Sequence, residues 1–138
     1  MEISTTEYQG NAPVAILRVE GSLDGSNYKE LIARASALYD EGAHNLLLDL
    51  SKLTYLSSAG ISALHQIALL FKGEKPAEVK EGWAAFRAMR RDRNKGVQQH
   101  VKLLNPTEQV KDILNLVGFS ALFEIYTDTH SAVASFRQ

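Results

Sequence analysis

The 138-residue chain contains no cysteine, which removes disulfides, thiol catalysis and thiolate metal sites together and fits a reducing compartment. It has no uninterrupted run of about 18 apolar residues, the length a membrane-spanning helix requires. The opening Met1-Glu2-Ile3-Ser4-Thr5-Thr6-Glu7 has neither the basic start nor the apolar stretch of a secretory signal. A cytoplasmic chain with no membrane partner is therefore expected. Charge of one sign is lacking too: 15 Lys and Arg face 16 Asp and Glu, so no global field points to nucleic acid. Without cysteine, the other ligand types show no His-x-x-x-His or clustered Asp pattern, and there is no glycine-rich phosphate loop. No metal and no cofactor is expected.

What is present describes an ordinary folding domain. Hydrophobic residues make up 45% and charged residues 22%, and a chain of this length suits one core, so residues 1–138 are read as a single α/β domain. Val14 to Val19 is short, β-branched and followed by Gly21, the pattern of a strand ending in a turn. Ile3 to Tyr8 reads as an edge strand beside it. Tyr28, Leu31, Ile32, Ala35 and Leu38 recur at helical spacing, with Gly42 as the stop. His44 to Leu50 is nearly all apolar and too short for a helix, as in a parallel strand covered on both faces.

Ser57 or Ser58 is placed to cap a second helix bearing Ile61, Leu64, Ala68 and Phe71 on one face. Val101 to Leu104 reads as another strand. In Asn105-Pro106-Thr107-Glu108 the sequence offers an N-cap, a first-turn proline and a capping-box acid. A helix through Val110, Ile113, Leu114 and Val117 follows, ended by Gly118. Leu122 to Tyr126 reads as a last strand and Thr127 as the cap of a short helix containing Val133 and Phe136. Strands alternating with helices argue for an α/β fold with a mixed sheet.

One segment breaks this rhythm. From about 72 to 96, between Gly73-Glu74-Lys75-Pro76 and Gly96, eight basic residues stand against four acidic ones, a local charge of +4 that leaves −5 for the rest. Val79, Trp83 and Phe86 share a helical face, so an inserted helical segment is predicted. A straight helix from Pro76 to Asn94 would be about 28 Å long, more than the return path of about 17 Å available to Lys95–Gln99. A bend near Gly82 is therefore expected, with Trp83 and Phe86 packed on the domain or on a second copy as a homodimer contact.

The run Leu48-Asp49-Leu50-Ser51-Lys52-Leu53-Thr54-Tyr55-Leu56-Ser57-Ser58-Ala59-Gly60-Ile61 resembles the signature of the STAS family, to which bacterial anti-sigma-factor antagonists belong. Gly21-Ser22-Leu23-Asp24, Leu103-Leu104-Asn105-Pro106 and Val117-Gly118-Phe119 are similar to further family motifs, so the resemblance spans nearly everything outside Lys72 to Lys95. It implies a phosphorylation loop ahead of the second helix. The family's Asp-Ser-Ser-Gly or Asp-Ser-Thr-Gly motif places the phosphate acceptor on Ser58, with Ser57 as the secondary candidate. Ser57 fills the position of the family's Asp, and Ala59 that of its second Ser or Thr.

The resemblance implies a partner switch. The unphosphorylated chain would bind an anti-sigma factor that is itself a serine kinase and so release the sigma factor; phosphorylation would block binding, and a serine phosphatase would reset the switch. Asp24, Ser57, Ser58, Ala59, Gly60 and Ile61 are the partner-binding residues this implies. The alternative is a scaffold or accessory STAS module without a sigma-factor circuit, such as a stressosome component or the soluble subunit of a lipid-transport complex.

Read from the residues themselves, Asp24 is a carboxylate that orders its turn by accepting backbone N–H bonds, and Asp49 orders a loop at a strand end. An enzyme is not expected. Ser58 and His65 are seven residues apart on one presumed helix, about 10 Å along its axis and too far for proton transfer. No Gly-x-Ser-x-Gly elbow surrounds Ser58. The histidines are read as surface or strand-end residues.

Overall fold

Parallel strands cannot be joined by tight turns, so a sheet built from them has to carry its crossovers on its faces. The computed structural model, which describes residues 1–9, 12–72 and 98–136, follows this rule. Strands β1 (Glu2–Gln9) and β2 (Pro13–Leu23) pair antiparallel, from Glu2 opposite Glu20 to Gln9 opposite Pro13. From β2 onward the sheet is parallel, through β3 (Leu46–Asp49), β5 (Gln98–Leu104) and β6 (Phe123–Tyr126), in the order β1-β2-β3-β5-β6. A short β4 (Leu53–Leu56) pairs with β2 beyond the point where β3 leaves it.

Helix α1 (Tyr28–Asp40) links β2 to β3, α2 (Ser58–Phe71) follows β4, and α3 (Glu108–Leu116) lies between β5 and β6. All three pack their apolar residues into one cluster with Leu17, Val19, Leu46, Leu48, Val101 and Leu103. The terminal helix α4 (Thr129–Ala134) covers the other face, where Ala132, Val133 and Phe136 meet Val14, Leu47 and Leu104. β3 is thus buried on both faces, and its leucines need no polar alternation. This is a mixed sheet packed with helices, as expected. Gly42 and Gly118 end their helices at φ +106° and +82°, a backbone region that favours glycine. The inserted helical segment expected at about 72 to 96 lies outside the described residues beyond Lys72, as does its proposed contact with a second copy.

Two expected caps are corrected. Asn105 is not the cap of α3: it sits at φ 48° and its N–H donates to the Tyr126 carbonyl at 2.6 Å. Edge pairing of β5 with β6 claims that residue first, and asparagine tolerates the left-handed turn that follows. Thr107 caps instead; its Oγ1 accepts from Val110 N and donates to the Leu53 carbonyl at 3.0 Å. Nor does Thr127 cap α4, because Asp128 takes the position, its carboxylate accepting from Ser131 N at 2.8 Å. The charge favours the helix N-terminus. Phe136 lies beyond that helix, though fully buried.

On the α4 face, Lys102 is buried yet satisfied. Its Nζ donates to the Ser135 Oγ (2.9 Å) and carbonyl (3.2 Å), pairs with Glu124 (3.1 Å) and lies 4.7 Å from the Phe136 ring centroid. Four partners offset the desolvation of the ammonium and tie α4 to the sheet.

Candidate functional site

The site forms where β2 and β4 end together. Leu23 stands opposite Leu56, and the next amide, Ser57 N–H, donates to the Leu23 carbonyl at 3.0 Å. That bond joins the loop beginning at Asp24 to the start of α2, so the two segments singled out in the sequence become neighbours.

Ser57 adopts an extended backbone (φ −86°, ψ 176°), and its Oγ accepts from Gly60 N at 3.2 Å. It is the N-cap of α2, satisfying one of the four N–H groups a helix leaves open at its start. Ser58 is the first helical residue and is exposed, whereas Ser57 and Ala59 are half-buried. The two serines therefore differ: one hydroxyl holds the helix end and the other faces solvent. No acidic residue occupies the first turn of α2, so the helix sets no charge of its own against its positive dipole end.

Gly60 and Ile61 lie beneath this surface. Ile61 is 4% exposed and belongs to the core. A Cβ on Gly60 would fall 2.7 Å from Leu56 Cδ1 and 2.8 Å from the Leu23 carbonyl oxygen. Both residues seat the helix end from below rather than offering side chains to solvent. Of the partner-binding residues expected from the sequence, Asp24, Ser57, Ser58 and Ala59 are the ones with exposed area.

Asp24 orders its turn. Its Oδ1 accepts from Ser26 Oγ at 2.6 Å and from Ser26 N at 2.9 Å, while its carbonyl accepts from Asn27 N and Tyr28 N at the start of α1. Asn27 closes the loop by accepting from Asp24 N and donating to the Ser22 carbonyl, both at 2.9 Å. The Ser26 hydroxyl, and after it the Ser26 N–H, holds the Asp24 carboxyl below the ordinary aspartate range. A lowered folded value means that this turn is stabilised above the unfolded pKa, about 3.9, and loses that support as pH falls through the folded value. In an NMR titration the Asp24 carboxyl is expected to have a midpoint below that of free aspartate. An equal or higher midpoint would contradict the hydrogen bonding.

Asp49 plays the same part at the end of β3, accepting from Ser51 N at 3.0 Å and Ser51 Oγ at 2.7 Å. Among the histidines, His44, His100 and His130 are exposed, but His65 is 3% exposed on α2. The surface reading of His65 is thus corrected: α2 is enclosed on nearly every side, and position 65 turns inward. No helix among the described residues is long and apolar enough to cross a membrane. Among those residues no group of three or more His, Cys, Asp or Glu is gathered as a metal site would need. A cleft of about 670 Å³, lined by Tyr39, His44, Asn45, Phe71 and His100 among others, contains none of the candidate residues.

Comparison with known proteins bears on this arrangement. The curated protein BtrV of Bordetella bronchiseptica, provisionally named an anti-sigma factor antagonist, is 24% identical over 119 residues, covering 86% of this chain and 83% of its own. An anti-sigma factor antagonist from Mycobacterium paratuberculosis superposes with a TM-score of 0.66 at 17% identity, over 99% of this chain and 96% of that one. The antagonist SpoIIAA, solved unphosphorylated, superposes with a TM-score of 0.64 at 14% identity, over 94% of this chain and 93% of its own. Its phosphorylated form gives 0.57 at 13% identity, over 94% and 96%. These likenesses establish the shared fold. The STAS domain profile matches residues 3–74, just over half of the sequence and including both loops of the site; the chain belongs to the STAS domain family.

Proposed function

We propose that the chain is an anti-sigma factor antagonist whose switch is Ser58. In this reading the unphosphorylated protein binds an anti-sigma factor with serine kinase activity and frees the sigma factor. The kinase then phosphorylates Ser58 and the complex dissociates, until a serine phosphatase restores the hydroxyl. The observation that carries the reading is the division of labour between adjacent serines: Ser57 Oγ is engaged as the cap, and Ser58, one residue on, is exposed at the first turn. The relatives named as antagonists support it, as does SpoIIAA, which has both an unphosphorylated and a phosphorylated form.

The chemistry is consistent with reversibility. A phosphate adds about −1.5 to −2 charges and strong acceptor oxygens. At a helix N-terminus these meet open N–H groups and the positive end of the dipole, so the fold tolerates the modified side chain. A partner surface shaped for a hydroxyl has to desolvate a dianion instead. Asp24, Ser57, Ser58 and Ala59 form the contact surface in this scheme, with Gly60 and Ile61 supporting it from the core.

Incubation with the kinase and ATP, followed by peptide mass spectrometry, tests the assignment. Phosphate is expected on Ser58 in the parent and nowhere in the signature run of Ser58→Ala. Label on Ser57, or undiminished labelling of Ser58→Ala, would refute it.

A further inference from the structure

The pairing of β4 with β2 contains an irregularity whose effect is to turn one aromatic side chain outward. Gly21 pairs with Leu53, Ser22 with Tyr55 and Leu23 with Leu56, so Thr54 is an extra residue opposite no partner. Its Oγ1 is held by donating to the Gly21 carbonyl at 3.1 Å, and Gly21 itself adopts φ +94°. Residues directly opposite in a ladder share a face of the sheet. Without the extra residue, Tyr55 would stand opposite Leu23, which is fully buried, and would point into the core. With it, Leu56 takes that place at 2% exposure and Tyr55 stands opposite Ser22, 53% exposed. Among the described residues, Tyr8, on β1, is the other exposed aromatic, at 40%. Bulges of this kind re-aim side chains beside functional sites.

We infer that Tyr55 is an anchor of the surface that binds the anti-sigma factor kinase, inserting its ring into an apolar pocket of that partner while the hydroxyl reaches its polar rim. The inference rests on the function proposed above and adds a residue outside the phosphorylation loop. Distance favours the assignment to this partner. Three residues of extended chain place Tyr55 at most about 11 Å from Ser58. A standard interface covers about 800 Å² on each side, a disc of about 16 Å radius. Tyr55 therefore lies within that radius of Ser58, around the end of β4 from the start of α2, and tyrosine is among the residues that most often carry binding energy at such interfaces.

Isothermal titration of the recombinant kinase from the source organism into the unphosphorylated chain provides the test. Tyr55→Ala and Tyr55→Gln are each expected to raise Kd about 30-fold or more, with thermal midpoints close to the parent's because the side chain is exposed. Tyr55→Phe, which keeps the ring, is expected to stay within about 5-fold, the loss of one hydrogen bond. Tyr8→Ala serves as the exposed-aromatic control. Tyr8 pairs with Val14 and Tyr55 with Ser22, positions about 26 Å apart along β2, so its Kd is expected to match the parent's. A parent that binds with Tyr55→Ala and Tyr55→Gln unchanged overturns the role of Tyr55 and leaves the proposed function standing. A parent that does not bind the kinase overturns both.

Discussion

Authentic phosphoserine at position 58 is expected to weaken the complex with the anti-sigma factor by about 100-fold or more in calorimetry, while the domain's melting temperature stays within a few degrees of the parent's. The two halves of this expectation have separate causes. Leaving a charge buried and unpaired at an interface costs about 2–5 kcal/mol, and each 1.4 kcal/mol is about tenfold in affinity. Within the domain the same phosphate sits at the start of α2, whose first turn carries no acidic residue, and charge of that sign stabilises a helix start by about 0.3–1 kcal/mol. Ser58→Asp carries a single charge and a shorter side chain, so its loss of affinity is expected to be smaller, on the order of tenfold. A phosphoprotein that binds as tightly as the parent, or more tightly, would reverse the proposed sign of the switch.

How far such a site is legible in advance depends on which forces set each residue. The loop and helix start were readable because Ser57 and Ser58 precede an apolar 3.6-residue repeat, and because the signature run is distinctive. Which serine caps was not readable, since both occupy plausible frames and only the position of Leu23, whose carbonyl binds Ser57 N–H, selects one. β3 was legible as a buried parallel strand because its leucines face cores on both sides. β4 was not anticipated. Its burial runs buried, exposed, exposed, buried, a pattern that breaks the strand period of two, places Leu53 and Leu56 at a helical spacing instead, and arises from the bulge at Thr54.

The remaining differences come from contacts distant in sequence. Asn105-Pro106-Thr107-Glu108 supports two capping frames, and the choice is made by the Tyr126 carbonyl holding Asn105 N–H and the Leu53 carbonyl accepting from Thr107. Lys102 interrupts an apolar strand, and its partners Glu124 and Ser135 lie 22 and 33 residues on. Local propensity carries no information about either. Asp24 is the contrasting case: its turn is closed by Ser26 and Asn27, within three residues, and the sequence reading of a turn-ordering carboxylate agrees with the structure.

Gly60→Ala is expected to destabilise the domain by about 2–3 kcal/mol, within the range for overpacking, and to lower its melting temperature by about 10 °C. Helix propensity alone points the other way, because alanine in a helix is favoured over glycine by about 1 kcal/mol. The close approach decides the sign. The new Cβ would lie 2.7 Å from Leu56 Cδ1, 2.8 Å from the Leu23 carbonyl oxygen and 3.0 Å from Leu23 Cγ. Leu56 can turn its methyl aside, but the Leu23 oxygen is backbone and accepts the Ser57 N–H that joins the two loops. Relief requires α2 to move away from β2, stretching that bond and displacing Ser57 and Ser58 together, so partner binding is expected to weaken alongside stability. Gly25→Ala in the neighbouring loop is the matched control. Its Cβ would meet nothing within 4 Å, and the substitution is expected to change stability by no more than about 0.5 kcal/mol. Thermal melts of the two variants beside the parent separate the cases: a Gly60→Ala protein that melts with Gly25→Ala would show that the helix start is not pressed against Leu23.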